Sequence, residues 1–360
     1  MKVKKKFTNL NFKEFQKTKK KGQSTMAQHF LLSAKARTLS IAQIAAMSES
    51  KCCEYFRHIR WQSNNGKPIC DECGSVKCYT IKSRKQFRCK ECFHTFSVPS
   101  GTLFHSHKMS FKTMLLAIML FTNATKGISA LQLARDLGVQ YKSAWVLAHK
   151  LRESLLDYDD SGKLDGVVEM DGVYVNGYIR PRNHKDERID RRKIYKPNKR
   201  VVISLRQRNS LGLGAIRTKS FVLKSENNKD INDIAFNNIS PNTQIHADEN
   251  VAYDDLAFVY DLKRVNHQCE FSGLNGENNN QSESFNARLR RMIYGQVHRM
   301  SVLYLSNYAN EIAYREDTRR LDNKAIYDDI LARCLQNNSV SNEFCGYWQG
   351  NKRVCERLGC

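Results

Sequence analysis

The sequence predicts an α/β fold in which one central sheet is flanked by helices, and two observations predict it. Strand-like apolar runs begin near residue 166 and cover residues 167–175, 200–205, 220–224 and 244–248. Helix-like segments follow them at residues 281–292 and 302–315. Strands that are interleaved with helices and then followed by them indicate an α/β layer.

The composition indicates a soluble and strongly basic protein. Its 360 residues include 59 Lys and Arg against 36 Asp and Glu, which gives a net charge of +23. Such an excess predicts a polyanionic partner, most often nucleic acid. The longest apolar run, residues 114–121, is far shorter than the roughly 20 residues of a membrane span. No apolar segment of a secretory signal follows the basic N-terminus. We therefore expect a cytoplasmic, nucleoid-associated protein with no membrane partner.

The N-terminal segment concentrates part of this charge. The first 22 residues carry nine Lys and one Glu, which predicts a disordered basic tail over residues 1–25. Met26 opens a patterned stretch, so a start of translation at Met26 is the alternative to a start at Met1. Residues 26–68 are predicted to form an N-terminal helical segment.

Two C-x₂-C pairs predict a metal site within residues 69–100. Fifteen residues separate the pairs, a spacing typical of a four-thiolate zinc ribbon. The ligands would be Cys70, Cys73, Cys89 and Cys92. Four thiolates leave no open position on the ion, so the expected zinc is structural. The alternatives are a redox pair or coincidence, and the other eight cysteines show no ligand spacing.

The segment over residues 101–160 is helical and has helix-turn-helix character. A first helix over residues 129–137 would bury Leu131 and Ala134, and Gly138 would make the turn into a second helix. An ordinary helical hairpin is the alternative. If the motif binds DNA, four polar residues of the second helix would face a groove or its phosphates: Gln140, Lys142, Ser143 and Lys150.

Three acidic positions have the pattern of a nuclease site. Asp171 and Asp248 end apolar strand-like runs, and Glu283 lies in an amphipathic helix with a basic face. Such carboxylates can converge at one edge of a sheet and share Mg²⁺ or Mn²⁺ ions as hard oxygen ligands. An aspartate at a strand end is, however, also a common cap or turn residue.

The third ligand is left open by the sequence. Asn280 lies three residues before Glu283 on the same helical face, and an amide oxygen also ligates Mg²⁺. Glu169 shares a strand face with Asp171, as a supporting acid or as a salt-bridged neighbour.

Basic residues surround these acids. Residues 180–200 carry ten Lys and Arg against three acids, which is where a phosphodiester backbone would be steered. Further arginines flank the third acidic position: Arg288, Arg290, Arg291 and Arg299.

From Met26 onward the assembled segments resemble bacterial insertion-sequence transposases of the ISXO2-like family. The resemblance rests on the stretch MAQHFLLSAKARTLS, IRW at 59–61, the ribbon with the following FSVPSGTLF, SALQLARDLGVQYKSAWVLAHKLRE, VEMDGVYVNGY, HADE at 246–249, NQSESFNARLRR, YANEIAYREDTRR and GYWQ at 346–349. The first 25 residues have no counterpart in that pattern.

The resemblance implies an RNase H-like DDE catalytic domain over residues 161–320, with a mixed sheet flanked by helices, and a C-terminal tail over residues 321–360. Asp171 and Asp248 would be the two family aspartates, and the third position would be Glu283 or Asn280. Arg290, seven residues after Glu283, would contact DNA.

The implied activity is DNA transposition. The ribbon and the helical region would bind the terminal inverted repeats of an insertion sequence. The catalytic domain would then cleave a strand and join it to target DNA, with Mg²⁺ or Mn²⁺ at the site and a homo-oligomer holding the two ends. Two alternatives remain: a non-catalytic DNA-binding regulator with the same ribbon and helices, and a nuclease that cuts without rejoining.

Overall fold

The computed structural model describes residues 30–156, 162–190, 194–209, 214–265, 277–336, 344, 350 and 353–359. The predicted basic tail and Met26 lie outside the described residues, as do residues 191–193 of the basic segment and the 346–349 motif. Within the described ranges, no helix combines the length and apolar character needed to cross a bilayer.

Among the residues that the structure describes, five α-helices precede the main sheet and share one hydrophobic core. Their bounds are α1 Ile41–Ala45, α2 Glu49–Arg60, α3 Phe111–Asn123, α4 Ala130–Leu137 and α5 Tyr141–Ser154. A serine precedes each of the first four, and its hydroxyl accepts a hydrogen bond from the backbone N–H of the third helical residue. These serines satisfy N–H groups that a helix start otherwise leaves unpaired, which explains where the helices begin.

A small antiparallel sheet lies between α2 and α3. Its strands are β1 Cys78–Ile81, β2 Gln86–Cys89 and β3 Thr95–Phe96, in that order. Phe87 and Phe96 pack edge-on against Trp61, with ring centroids 5.5 and 6.3 Å away. The aromatic cluster joins this small sheet to the end of α2.

The main sheet has five strands in the order β6-β5-β4-β7-β8. Their bounds are β4 Val167–Val175, β5 Arg200–Arg208, β6 Ala215–Leu223, β7 Gln244–Asp248 and β8 Asp261–Val265. Strand β5 pairs antiparallel with both β6 and β4, whereas β7 pairs in parallel with both β4 and β8. The sheet is therefore mixed, with β4 at its centre.

Helices cover both faces of this sheet. Helix α6 (Asn228–Asn238) and the 3₁₀ helix Val251–Phe258 pack on one face, against side chains such as Val168 and Met170. Helices α7 (Asn280–Met292) and α8 (Leu305–Thr318) pack on the other, against Val173. Alternate residues of β4 thus enter two different cores, as the period of a strand requires.

The segment expected to be a C-terminal tail contains a further α-helix, α9 (Asn323–Gln336). Its buried side chains Tyr327, Ile330 and Leu331 belong to the same core as α1 to α5. Residues 323–336 are therefore part of the helical region in three dimensions, although they lie far from it in sequence.

The predicted α/β fold with a mixed, helix-flanked sheet is confirmed. The strands predicted at 167–175 and 244–248 occur with the predicted bounds, and those at 200 and 220 belong to longer strands. The sequence did not predict β8 or α6.

Candidate active site

Asp171 and Asp248 come from two neighbouring strands. Met170 of β4 pairs in parallel with Ala247 of β7, so the two aspartates, each one residue further on, lie side by side. Neighbouring strands are about 4.8 Å apart, which brings the two half-buried carboxylates to one point of the sheet. The structure therefore brings the two aspartates together, although Asp171 lies in the middle of β4 and only Asp248 ends its strand.

Helix α7 supplies the next groups. Asn286 donates a hydrogen bond from Nδ2 to Oδ2 of Asp171, over 2.7 Å. Glu283 lies one turn earlier on the same helical face, and its charge is among those that raise the pKa of Asp171. Asn280 is exposed at the first residue of the helix, where its backbone N–H lies 3.4 Å from Oδ1 of Asn278. Glu283, one of the two candidates for the third ligand, thus lies within electrostatic reach of Asp171, whereas Asn280 carries no charge and is not distinguished by this criterion.

Glu169 holds the start of α7 on the sheet. Its Oε2 accepts hydrogen bonds from the backbone N–H groups of Gln281 and Ser282, at 2.6 and 3.0 Å. Its Oε1 lies 2.5 Å from Nε of Arg208. A carboxylate at the N-terminus of a helix satisfies unpaired N–H groups and interacts favourably with the helix dipole. The salt-bridged interpretation of Glu169 thus matches its contacts, and its position fixes the helix that carries Glu283.

Replacing Glu169 by alanine should destabilise the protein by about 3–5 kcal/mol, because Arg208 and two helix N–H groups would lose a buried partner. Urea unfolding measures this loss. The matched control is Glu187→Ala, which removes the exposed partner of Arg182 and should cost less than about 1 kcal/mol. Equal losses in the two variants would contradict the helix-anchoring role.

A fourth carboxylate, Glu226, was missed in the sequence. It lies between β6 and α6, and its charge also raises the pKa of Asp171. Its Oε1 accepts a hydrogen bond from the hydroxyl of the buried Tyr253. No local pattern marks this position, because it reaches the site only through the packing of α6 on the sheet.

The electrostatics of the cluster favour a cation. Burial raises the pKa of Asp171 to about 7, and the charges of Asp248, Glu226 and Glu283 contribute to this rise. Burial and Asp248 raise the pKa of Glu226 as well. Oδ1 of Asn286 is buried beside the aspartates without a hydrogen-bond partner among the described residues. A set of hard oxygen donors around unbalanced negative charge fits Mg²⁺ or Mn²⁺.

The four predicted zinc ligands lie together, with all four Sγ atoms within 4.8 Å of one another. Sγ of Cys70 is 3.5 Å from that of Cys92, and the Cys73–Cys89 pair has the same separation. These distances are far too long for a disulfide, whereas Zn–S bonds of about 2.3 Å place tetrahedral sulfurs slightly under 4 Å apart. Gly74 follows the first pair with a φ of +72°, a turn conformation that suits glycine. The cluster fits a four-thiolate zinc ion.

The predicted helix-turn-helix pair corresponds to α4 and α5. Gly138 ends α4 in the left-handed region and its N–H bonds back to Ala134. The core residue of α4 beside Ala134 is Leu133, whereas Leu131 is half exposed, so the expectation that Leu131 is buried was wrong. Residues two apart on an α-helix point about 200° away from each other, so Leu131 and Leu133 cannot both face the core.

The second helix exposes only its first turn. Gln140 and Lys142 are exposed and Ser143 is half-buried. Lys150 is buried, so the expectation that it faces a groove was wrong. Helix α5 packs against α8 and α9, and all of its residues from Leu147 to Ser154 are buried.

Arginines of α7 form a basic surface beside the site. Arg290 and Arg291 are exposed, and Arg288 pairs with the buried Glu316. Arg288 and Arg291 also line a cavity of about 130 Å³ together with Lys126, from the connection between α3 and α4. The helical region and helix α7 therefore contribute cations to one cavity.

Comparisons with known proteins agree with this arrangement. Residues 163–317, which contain all four clustered acids, match the model of the ISXO2-like transposase domain. Residues 47–95, which contain the four clustered cysteines, match the model of the transposase zinc-ribbon domain.

A relative gives the same indication. The chain is 25% identical over 138 residues to an uncharacterized protein in transposable element ISH50 of Halobacterium salinarum. The matched segment is 38% of this chain and 45% of that protein, less than half of its length. Both domain models describe parts of transposases, so residues 163–317 form an ISXO2-like transposase domain and residues 47–95 a transposase zinc-ribbon domain.

Proposed function

We propose that this protein is a DDE-type transposase that cleaves the ends of an insertion sequence and joins them to target DNA. The observation that carries the proposal is the convergence of Asp171, Asp248 and Glu283 within the matched transposase domain. A DNA-binding regulator would have no use for three carboxylates gathered at a sheet edge.

The three acids would hold Mg²⁺ or Mn²⁺. Bound divalent ions supply positive charge that activates an attacking water or 3′-hydroxyl and neutralises the leaving oxygen. Asp171 is kept in place by Asn286 and by the backbone N–H of Gly172, 2.8 Å from its Oδ1. Glu169 keeps Glu283 in place by anchoring α7. Phosphoryl transfer needs little beyond such positioning and charge neutralisation.

DNA would lie across the basic surface of α7. Arg290 and Arg291, both exposed, would contact its phosphates, and Lys126 would do so from the cavity that it lines with Arg291. The first turn of α5, with Gln140 and Lys142 exposed, and the ribbon with zinc held by its four cysteines would bind the terminal repeats. Synapsis of two ends would need at least two copies of the chain.

The test is a strand-transfer assay with the full chain. The DNA that flanks the gene supplies candidate end sequences, and a labelled end is incubated with supercoiled target DNA in Mg²⁺. We expect strand cleavage at the end and a joined product in Mg²⁺, with neither when divalent ions are omitted. A nicked but never joined product indicates a nuclease. Specific binding without any cleavage indicates the regulator, and either result would overturn the proposal.

A further inference from the structure

Glu226 is placed against the backbone of the strand that carries Asp171. A Cβ built on Gly172 would lie 2.7 Å from Oε1 and 3.1 Å from Oε2 of Glu226. Any side chain at position 172 would therefore displace this carboxylate. A glycine next to the catalytic aspartate lets a second acid approach the strand closely.

One oxygen of this carboxylate is engaged and the other is not. The hydroxyl of Tyr253, a fully buried residue, donates to Oε1. Among the described residues, Oε2 has neither a hydrogen-bond donor nor a Lys or Arg partner. Glu226 also lines an open cavity of about 350 Å³ together with Asn250 and Asp255, so ions can reach it from solvent.

The charge of the cluster gives a reason for a fourth acid. Asp171, Asp248 and Glu283 carry three negative charges, which leave two divalent cations under-neutralised by their ligands. With Glu226 the cluster carries four negative charges, which equal the four positive charges of two divalent cations. Without cations, four neighbouring carboxylates repel one another, so their association makes physical sense as a preformed cation site.

We propose that Glu226 is a fourth carboxylate ligand of the divalent-ion site, held in place by Tyr253 and given room by Gly172. This inference rests on the proposed function, because it concerns the same ions. The competing interpretation is that Glu226 only accepts the hydrogen bond of Tyr253 and so fixes the 3₁₀ helix Val251–Phe258.

Glu226→Gln separates the two interpretations. Glutamine has the same shape and keeps an oxygen for Tyr253, but it lacks the charge. We expect Mn²⁺ binding to the full chain, followed by electron paramagnetic resonance, to weaken by at least about tenfold. The melting temperature without added Mg²⁺ or Mn²⁺ should stay the same or rise, because one repulsive charge is gone. Asp255→Asn removes an exposed acid on the rim of the same cavity and should leave Mn²⁺ binding unchanged.

A second variant at the same position keeps the inference testable if Glu226→Gln does not fold. Glu226→Asp keeps the charge but withdraws the carboxylate by one methylene, and it should also weaken Mn²⁺ binding. Mn²⁺ affinity equal to wild type in both folded variants would overturn the inference. If that happens while Asp171→Asn loses Mn²⁺, the proposed function stands and only the role of Glu226 fails. If the wild-type chain itself binds no Mn²⁺, both fail.

Discussion

The Asp171→Asn variant is expected to lose strand cleavage by at least about a thousandfold and yet to be more stable than the wild-type protein when no Mg²⁺ or Mn²⁺ is present. The loss of cleavage follows from removing the charge at the centre of the acid cluster. The gain in stability follows from the same charge, because burial raises the pKa of Asp171 from 3.8 to about 7.

The sign of the pH dependence is determined by this raised pKa. Between about pH 4 and pH 7 the folded chain binds a proton on Asp171 that the unfolded chain has released, so the stability of the ion-free protein falls as pH rises. An asparagine at position 171 does not titrate, so the variant does not lose stability in this way as pH rises. The expected gain is on the order of 2–4 kcal/mol above pH 7 and disappears below pH 4.

An asparagine at position 171 should also fit without two NH₂ groups, its own and that of Asn286, facing each other. Asn286 donates to Oδ2 of Asp171 and leaves its own buried Oδ1 without a partner among the described residues. If the new side chain presents an NH₂ group there, the amide of Asn286 can rotate and accept from it. The variant therefore keeps the hydrogen bond while it loses the charge.

Urea unfolding at pH 8 and at pH 4.5, without divalent ions, measures the gain, and the strand-transfer assay measures the loss. Asp261→Asn serves as the control, since Asp261 is an exposed aspartate of the same sheet and its replacement should leave the stability almost unchanged. DNA binding in a mobility-shift assay should be unchanged by Asp171→Asn. Cleavage retained in Mg²⁺ would show that Asp171 is not catalytic.

Removing zinc is expected to unfold the ribbon. Its strands have only four, four and two residues, and its packing depends on Phe87 and Phe96 against Trp61. So small a sheet cannot bury enough apolar surface to be stable alone, and zinc bound to four thiolates supplies on the order of 10 kcal/mol or more. We therefore expect Cys89→Ser to lose zinc and the structure of this segment together.

Zinc content by mass spectrometry and hydrogen exchange over residues 69–100 measure the two effects. Cys78→Ser is the matched control, since Cys78 lies in β1 beside the cluster but is not one of its four members. That variant should keep about one zinc per chain. If Cys89→Ser keeps the same zinc content and the same slow exchange, the cluster is not a structural zinc site.

Elements with a clear hydrophobic period could be predicted from the sequence. Strands β4 and β7 are apolar because both of their faces are buried, and their bounds were predicted correctly. Strand β8 reads Asp-Leu-Lys-Arg-Val and lies at the sheet edge, where charged side chains are tolerated. Such a strand carries little signal of its own, because its pairing with β7 depends on the rest of the fold.

The residues of the candidate site also fall into those that could be predicted from the sequence and those that could not. Asp171 and Asp248 could be predicted to meet because each directly follows an apolar run that forms a strand, although Asp171 lies in the middle of β4 rather than at its end. Glu226 and Asn286 could not, since each reaches Asp171 only after a helix has docked on the sheet. The wrong prediction that Lys150 is exposed has the same cause, namely packing between segments that are distant in sequence. Its exposure depends on α8 and α9, which are more than 150 residues away in sequence.

The position of α9 bears on the order in which the chain can fold during synthesis. Residues 323–336 complete the core that α1 to α5 begin, and the backbone N–H of Leu103 bonds to the carbonyl of Cys334. The helical region therefore cannot finish its core until the ribosome has passed the catalytic sheet. A truncated product that ends before α9 would leave this core open to solvent. A folded helical region thus appears only in chains that already carry the transposase domain over residues 163–317.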